Sequence, residues 1–214
     1  VTGVQTCALP IYNSVTIRAT DGSGVSVDQS FTIVVTNVND SPTFTSTPTT
    51  TTNEDSVYSY TITVSDEDGQ TVTLTAPTLP GWLSLTDNGN NTGTITGTPL
   101  QANLGDNSVV IRATDPSGGT TDQSFTITVE NVNDLPVFTS TPTTTVNEDS
   151  AYSYTITVSD EDGQTVTLTA PTLPGWLTLT DNGNNTGTIT GTPLHANLGD
   201  NSVTIRAKIG RAHV

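Results

Sequence analysis

The chain has 214 residues, of which 32% are hydrophobic, and its 21 acidic residues outnumber the five basic ones, for a net charge of −16. This acidity argues against nucleic acid and anionic lipid as partners, because both are bound through clusters of Lys and Arg. No apolar run reaches the length of about 18 residues that a membrane-spanning helix needs, so no direct membrane insertion is predicted for this segment. Carboxylates suit divalent cations, which prefer oxygen ligands, although acidity can also serve only to keep a secreted protein soluble.

The two ends of the sequence are interpreted as translated sequencing adapter. Residues 209–214 back-translate to ATC GGA AGA GCA CAC GTC, and the reverse complement of that string can be read within codons for residues 5–11. The repeat described below also predicts Asp in place of Tyr12 and Thr in place of Lys208. Residues 1–12 and 208–214 are therefore treated as non-native and excluded from the fold argument. Cys7 is excluded with them, so the sequence predicts neither a disulfide framework nor a Cys-ligated metal.

The remaining chain is a tandem repeat with a period of 94 residues. Ser41–Ala113 aligns without a gap to Leu135–Ala207 and differs at seven of 73 positions, and residues 13–40 repeat residues 107–134. The repeat predicts the C-terminal strands of a truncated module over 13–40, a complete module over 41–134 and a module lacking its last strand over 135–207. The period exceeds the roughly 20–45 residues of a solenoid repeat and fits a β-sandwich domain.

Alternation of apolar and polar residues predicts about seven strands in each module. In chain order, the apolar positions of the complete module lie near Phe44, at 58–64, at 72–74, at 83–85, around Ile95, at 109–113 and at 125–129. Turn sequences such as Asp66-Glu67-Asp68-Gly69 separate them, and no segment has helical periodicity, so the predicted fold class is all-β. The two partial modules leave apolar faces and strand edges uncovered. We therefore expect residues 13–207 to self-associate more than residues 41–134.

A short polar sequence recurs where one module joins the next. It reads Asn37-Val38-Asn39-Asp40 at the first junction and Asn131-Val132-Asn133-Asp134 at the second, each time after a predicted strand. Three oxygen-donor side chains in each copy suggest a cation site at the hinge. The alternative is an ordinary interdomain turn in which Asn and Asp cap backbone groups, and the acidic turn at 66–69 can likewise be a simple hairpin turn.

Several motifs resemble a known family. The linker sequence, extended to Phe138, is similar to the cadherin linker, and Ala113-Thr114-Asp115 is similar to the triplet that ends a cadherin strand. Pro80-Gly81-Trp82-Leu83, together with Gly93-Thr94-Ile95-Thr96-Gly97-Thr98-Pro99, resembles the dystroglycan-type cadherin-like and putative-Ig modules of large bacterial surface proteins. The resemblance covers residues 13–207 and implies tandem Ig-like or cadherin-like Greek-key β-sandwiches.

The resemblance also implies Ca²⁺ bound at each junction by the linker, the module before it and the module after it. Carried over residue by residue, the second junction would use Asn131, Asn133, Asp134, Glu54, Asp160 and Asp162. The first junction would use Asn37, Asn39, Asp40, Asp66, Asp68 and Asp115. Cadherins carry a further acidic triplet where this sequence has Gly97-Thr98-Pro99. A thinner ligand shell, with an affinity of roughly 10⁻⁴–10⁻³ M, is therefore expected.

Two functions remain open from the sequence. The first is a calcium-stiffened rod of extracellular repeats in a membrane-associated, cell-surface adhesin, with neighbouring repeats, other surface proteins or glycans as partners. The second is a metal-independent spacer in a secreted or surface multidomain protein. Sugar stacking on Trp82 and Trp176 is a third possibility, but a tryptophan lid over the sandwich core is favoured.

Catalysis finds no support in the sequence. Outside the excluded ends His195 is the one histidine, and no Gly-rich phosphate loop follows a predicted strand, so no enzyme activity is predicted. His195 replaces Gln101 of the preceding copy and is interpreted as incidental surface variation.

Overall fold

A computed structural model describes residues 11–210, which form two compact units. Unit 1 contains the described residues through Glu130, and unit 2 contains those from Asn131 onward. Apart from two short 3-10 helices, Gln101–Asn103 and His195–Asn197, the regular structure of the described residues is β-strand, and the predicted all-β class is confirmed. No helix among these residues has the length and apolar character needed to cross a membrane.

The first described element of unit 1 is a two-stranded antiparallel hairpin. Strand β1 (Ile11–Thr20) pairs along its whole length with β2 (Ser26–Val35). Every residue of β2 is exposed to solvent, including the large apolar side chains of Phe31 and Ile33. The backbone pairing includes residues 11 and 12, which the sequence argument had excluded, while the adapter interpretation itself stays a prediction.

The rest of unit 1 is a sandwich of two four-stranded sheets. Its strands in chain order are β3 (Thr43–Phe44), β4 (Thr51–Asn53), β5 (Tyr58–Ser65), β6 (Thr73–Thr78), β7 (Leu83–Asp87), β8 (Thr92–Gly97), β9 (Gly105–Thr114) and β10 (Thr120–Glu130). One sheet has the order β3-β5-β8-β7 and the other the order β4-β10-β9-β6. All neighbours are antiparallel except β4, which pairs in parallel with β10. The chain crosses repeatedly between the sheets, as Greek-key sandwiches do.

The core of this sandwich comes from alternate residues of the facing sheets. In β5 the side chains of Tyr58, Tyr60, Ile62 and Val64 are buried, while the residues between them point outward, as a strand period of two requires. The other sheet contributes β9 and β10, with Ile111 and Ile127 at 0% exposure. Burying each such side chain contributes about 1.5–3 kcal/mol relative to leaving it exposed.

Unit 2 repeats most of this sandwich. Its strands in chain order are β11 (Val137–Phe138), β12 (Tyr152–Ser159), β13 (Val166–Thr172), β14 (Leu177–Asp181), β15 (Thr186–Gly191) and β16 (Thr204–Ile209). One sheet has the order β11-β12-β15-β14, and the other consists of β13 and β16. The last strand extends to Ile209, which lies opposite Val166, so regular pairing also continues into the C-terminal residues excluded from the sequence argument.

The smaller sheet of unit 2 has no counterpart of β4 or β10 among the described residues. Thr145-Val146-Asn147 aligns with the β4 sequence Thr51-Thr52-Asn53, yet it forms no strand. In unit 1 these residues form a strand because they pair with β10, in a register that places Thr51 opposite Thr128. Without that partner the same residues have no hydrogen-bond ladder to join. A distant strand therefore decides the secondary structure at this position.

Candidate metal centre

The acidic turn after β5 forms one side of the candidate site in unit 1. The Asp66 carbonyl oxygen accepts a hydrogen bond from the Gly69 backbone nitrogen at 3.1 Å, and Gly69 has φ of 70°, which favours glycine. Oδ1 of Asp66 accepts from the Gln70 backbone nitrogen at 3.1 Å. The other carboxylate oxygen, Oδ2, is buried and has no hydrogen-bond partner among the described residues.

Asp68, two residues further along the same turn, faces the linker. Its Oδ2 accepts a hydrogen bond from the Asp40 backbone nitrogen at 2.8 Å, and its Oδ1 accepts one from Nδ2 of Asn37. Hydrogen bonds to an ionised carboxylate are stronger than those between neutral groups. Asp68 therefore holds both ends of the first linker sequence against the turn.

Asp115 approaches from the loop that follows β9. Its Oδ1 accepts from the backbone nitrogens of Ser117 at 2.8 Å and Gly119 at 2.9 Å, and its Oδ2 accepts from Nδ2 of Asn39 at 3.0 Å. The hydrogen bond from Asn39 lowers the pKa of Asp115, and backbone donors lower it further against the opposing effect of burial. A Cβ at position 119 would collide with Oδ2 of Asp115, so glycine there leaves room for the carboxylate in its present position.

Gln70 connects these groups, and the sequence analysis missed it. Its Nε2 donates to Oδ1 of Asn39 at 3.0 Å and to Oγ of Ser117 at 3.3 Å. Its Oε1 is buried without a hydrogen-bond partner among the described residues. The sequence feature that could have identified Gln70 is its position directly after the acidic turn at 66–69. Gln164 occupies the same position after the second copy of that turn. The structure thus brings the predicted residues of the first site into one hydrogen-bond network.

Unit 2 reproduces this network with the second linker. Oδ2 of Asp162 accepts from the Asp134 backbone nitrogen at 2.8 Å, and its Oδ1 accepts from Nδ2 of Asn131 at 2.8 Å. Nε2 of Gln164 donates to Oδ1 of Asn133 at 2.7 Å. Two copies of the same sequence therefore give the same local arrangement of linker and turn.

Asp160 repeats the environment of Asp66. Its Oδ1 accepts from the Gln164 backbone nitrogen at 3.0 Å, while its Oδ2 is buried without a hydrogen-bond partner among the described residues. The same atom is thus buried in both copies, as expected when burial follows from the turn itself rather than from a chance neighbour.

Glu54 lies directly after β4, is 1% exposed, and donates its backbone hydrogen bond to the Glu130 carbonyl oxygen at 2.9 Å. It belongs to unit 1, whereas the other residues named for the second site belong to unit 2, so their joint site stays a prediction. Its repeat counterpart, Glu148, is exposed and places Oε2 3.0 Å from Nδ1 of His195. His195, interpreted from the sequence as incidental, therefore has a carboxylate neighbour.

The carboxylates do not converge tightly within a single unit. Among the described residues of either unit taken alone, no three His, Cys, Asp or Glu side chains bring ligand atoms within 4.8 Å of one another. In unit 1 the amide nitrogens of Asn37 and Asn39 donate to the carboxylates of Asp68 and Asp115 instead. The arrangement is an oxygen-rich network that amide groups hold together.

The tryptophans lie over the sandwich core, as the favoured interpretation predicts. Trp82 packs edge-on against Tyr58, with ring centroids 6.0 Å apart, and its Nε1 donates to Oδ1 of Asn107 at 3.0 Å. Trp176 makes the corresponding contact with Tyr152 at 6.1 Å. Both indoles are thus used in packing and in a structural hydrogen bond.

Solved structures show similar folds. The extracellular cadherin domains 1–5 of protocadherin Gamma B2 align with 92% of this chain and 41% of that chain, at 20% identity and a TM-score of 0.53. The protocadherin GammaB4 extracellular domain aligns with 92% of this chain and 35% of that chain, at 21% identity and a TM-score of 0.50. These similarities support the Ig-like and cadherin-like fold.

An endo-fucoidan hydrolase, MfFcnA4 from glycoside hydrolase family 107, aligns with 94% of this chain at 24% identity and a TM-score of 0.41, and the chain spans only 32% of its length. No curated protein sequence matches the chain. A family model described as Putative Ig domain matches residues 41–130 and 135–212, which together exceed half of the chain. The chain therefore belongs to the Putative Ig domain family, with two copies in tandem.

Proposed function

We propose that this chain is a segment of calcium-binding, extracellular cadherin-like repeats that acts as a stiffened rod in a bacterial cell-surface adhesin. The observation that carries the proposal is the buried Oδ2 of Asp66, which lacks a hydrogen-bond partner among the described residues and recurs as Oδ2 of Asp160. A buried carboxylate oxygen without a partner is unfavourable, and a bound cation would satisfy it.

The donors around Asp66 fit a hard divalent cation. Calcium takes about six to eight oxygen ligands in a flexible shell. Unit 1 holds the side chains of Asn37, Asn39, Asp66, Asp68, Gln70 and Asp115 in one hydrogen-bond network, and the proposed ligand set adds the carboxylate of Asp40, whose backbone nitrogen donates to Asp68. Asn37 and Asn39 now present their amide nitrogens to carboxylates, and a half-turn of each amide would present its oxygen instead.

The second proposed site uses Asn131, Asn133, Asp134, Asp160 and Asp162, with Glu54 contributed by the preceding module. A cation shared by neighbouring modules would neutralise carboxylates that otherwise repel one another in a chain of net charge −16. It would also restrict the angle between the modules, which is what a rod requires. The proposed partners are neighbouring repeats and other surface proteins or glycans.

Calcium titration of the whole chain tests this proposal. Calorimetry should detect binding at roughly 10⁻⁴–10⁻³ M, and calcium should raise the melting temperature relative to a chelator. The double variant Asp68→Asn/Asp162→Asn should lose both responses. The matched control, Asp106→Asn/Asp200→Asn, removes the same charge outside the proposed sites and should keep them. A native chain that neither binds calcium nor changes its melting temperature would refute the calcium role.

The second candidate is a metal-independent spacer, and one observation favours it. Within each unit the carboxylates already accept hydrogen bonds from linker amides, and no three acidic ligand atoms of one unit lie within 4.8 Å of one another among the described residues. The same titration separates the two candidates, because a spacer would be indifferent to calcium and chelator. Both roles are non-enzymatic, in keeping with an Ig-like fold whose acidic residues are held in turns.

A further inference from the structure

The side-chain amide of Asn39 has one defined orientation in unit 1. Its Nδ2 donates to Oδ2 of Asp115 at 3.0 Å and to the Asp40 carbonyl oxygen at 3.3 Å. A carbonyl and an ionised carboxylate can only accept hydrogen bonds, so both contacts require the nitrogen of the amide rather than its oxygen. Oδ1 of Asn39 therefore points away from Asp115.

Gln70 fits this orientation with its own amide. Its Nε2 donates to Oδ1 of Asn39 at 3.0 Å and to the Ser117 hydroxyl at 3.3 Å. The backbone of Gln70 is fixed as well, because its nitrogen donates to Oδ1 of Asp66 at 3.1 Å and its carbonyl oxygen accepts from Nδ2 of Asn91 at 3.0 Å. The glutamine amide can therefore reverse only by rotation about its own side-chain bonds.

These hydrogen bonds form a chain that runs in one direction, from Gln70 to Asn39 to Asp115. The direction leaves Oε1 of Gln70 buried without a hydrogen-bond partner among the described residues. It also turns the Asn39 nitrogen toward a carboxylate of the proposed site, where calcium would need the amide oxygen. If Asn39 alone turned over, its Nδ2 would meet Nε2 of Gln70, and two donors would face each other without an acceptor.

We propose that Gln70 is a positioning residue that controls the calcium affinity of the first site through the amide of Asn39. This inference rests on the proposed calcium role. Asn39 can offer Oδ1 to a cation only if the Gln70 amide turns with it, so that Oε1 of Gln70 accepts from Nδ2 of Asn39. The Ser117 hydroxyl keeps its contact in both arrangements, because it can donate as well as accept. The glutamine thus opposes cation binding by the cost of its own reversal, without touching the cation.

The second copy has the same direction of hydrogen bonding. Nε2 of Gln164 donates to Oδ1 of Asn133 at 2.7 Å, and Nδ2 of Asn133 donates to the Asp134 carbonyl oxygen at 3.1 Å. The repetition is expected if the coupling follows from the linker and the acidic turn of the module rather than from a chance contact in unit 1.

Two substitutions at position 70 distinguish this role from that of a ligand or of a structural connector. Calcium binding is measured by calorimetry in a whole chain that carries Asp162→Asn, which removes the proposed second site. Gln70→Met keeps a side chain of similar length but removes the hydrogen bond that holds Asn39, so the calcium affinity should rise about two- to tenfold. Gln70→Glu presents only acceptors to Asn39 and should raise the affinity further.

The matched controls are Gln29→Met and Gln29→Glu, at an exposed residue of the hairpin, and they should leave the affinity unchanged. An Asn39→Ala background separates the amide effect from the added charge, because Gln70→Met should have no effect on affinity there. Weaker calcium binding by Gln70→Met would overturn the inference, since a ligand and a structural connector both predict a loss. A gain that persists unchanged in the Asn39→Ala background would overturn it as well.

Nuclear magnetic resonance in a chelator tests the coupling of the two amides without calcium. The Nδ2 protons of Asn39 should show Overhauser effects to Asp115 in the native chain and to residue 70 in the Gln70→Glu variant. An unchanged pattern would overturn the inference whether or not calcium binds. If the pattern changes as expected but no chain binds calcium, the result would support the coupling of the amides and refute the calcium role.

Discussion

Asp115 shows how one side chain organises the loop above β9. It collects backbone donors from its own loop and an amide donor from the linker, and Gly119 leaves the space its carboxylate needs. Gln70 and its copy Gln164 perform a similar connecting role with an uncharged group. The candidate site therefore depends on neutral connectors as well as on the acidic residues that draw attention in the sequence.

The lowered pKa of Asp115 gives a pH prediction. A carboxylate whose pKa is lower in the folded state than in the unfolded state stabilises the fold above its ordinary pKa of about 3.9. That contribution is lost as the pH falls through the folded-state value. We expect Asp115→Asn to reduce the acid sensitivity of unfolding, measured by urea denaturation at a series of pH values from neutral to strongly acidic. The control Asp106→Asn should retain the native pH dependence, and identical curves for all three chains would contradict the argument.

Strand β8 illustrates the element scale, because its two glycines allow its neighbours to approach. A Cβ on Gly93 would lie 2.6 Å from Cδ1 of Leu74, and one on Gly97 would collide with the carbonyl oxygen of Trp82. Between them Ile95 is fully buried. On this face of β8 one large core side chain, Ile95, therefore lies between two positions that have no room for a Cβ. The missing Cβ of Gly97 lets the chain at the start of β7 approach β8 closely.

Gly97→Ala should therefore destabilise unit 1. The new methyl group meets backbone rather than a flexible side chain, so β7 and β8 must separate, at a cost of about 1–3 kcal/mol. Urea unfolding followed by tryptophan fluorescence measures the change. Gly81→Ala is the matched control, because a Cβ there meets nothing within 4 Å and the backbone is not left-handed. Equal stability of the two variants would show that the close approach is unimportant.

At the scale of the whole molecule, the two units differ in completeness although their sequences nearly coincide. Unit 1 buries Ile127 and Val129 under the facing sheet, and unit 2 has an exposed groove at the corresponding place. Tyr58 and Tyr60 are buried in unit 1, whereas their counterparts Tyr152 and Tyr154 are only partly buried. The last strand, rather than the composition of the rest of the module, therefore decides how far the core side chains are buried.

Unit 2 should consequently melt well below the complete module. Ile127 and Val129, both buried, each contribute about 1.5–3 kcal/mol, and 1 kcal/mol shifts the melting temperature of a small domain by about 4–8 °C. Scanning calorimetry of residues 41–134 and residues 135–207 should separate the two transitions by more than about 10 °C. Addition of a peptide with the sequence of β10 should narrow the gap, whereas coincident transitions would contradict the role assigned to the last strand.

The sequence by itself determined the repeat, the strand alternation and the turns. The pattern around Ile62 and the turn ending at Gly69 depend on residues adjacent in the chain, so local periodicity and turn chemistry were sufficient to predict them. The resemblance to cadherin motifs also selected the acidic side chains and the linker asparagines of each unit's polar network, but not Gln70 or Gln164.

Only the tertiary structure decided which residues find a partner. Thr51 begins a strand and Thr145 does not, although their sequences are alike, because one has β10 beside it. Gln70 belongs to the site because its side chain donates to Asn39 and Ser117, which are distant in sequence, so the residues next to it in the chain could not predict this role. The physical reason is that strand pairing, burial and side-chain hydrogen bonds join groups far apart in sequence, so they exist only once folding has brought both members together.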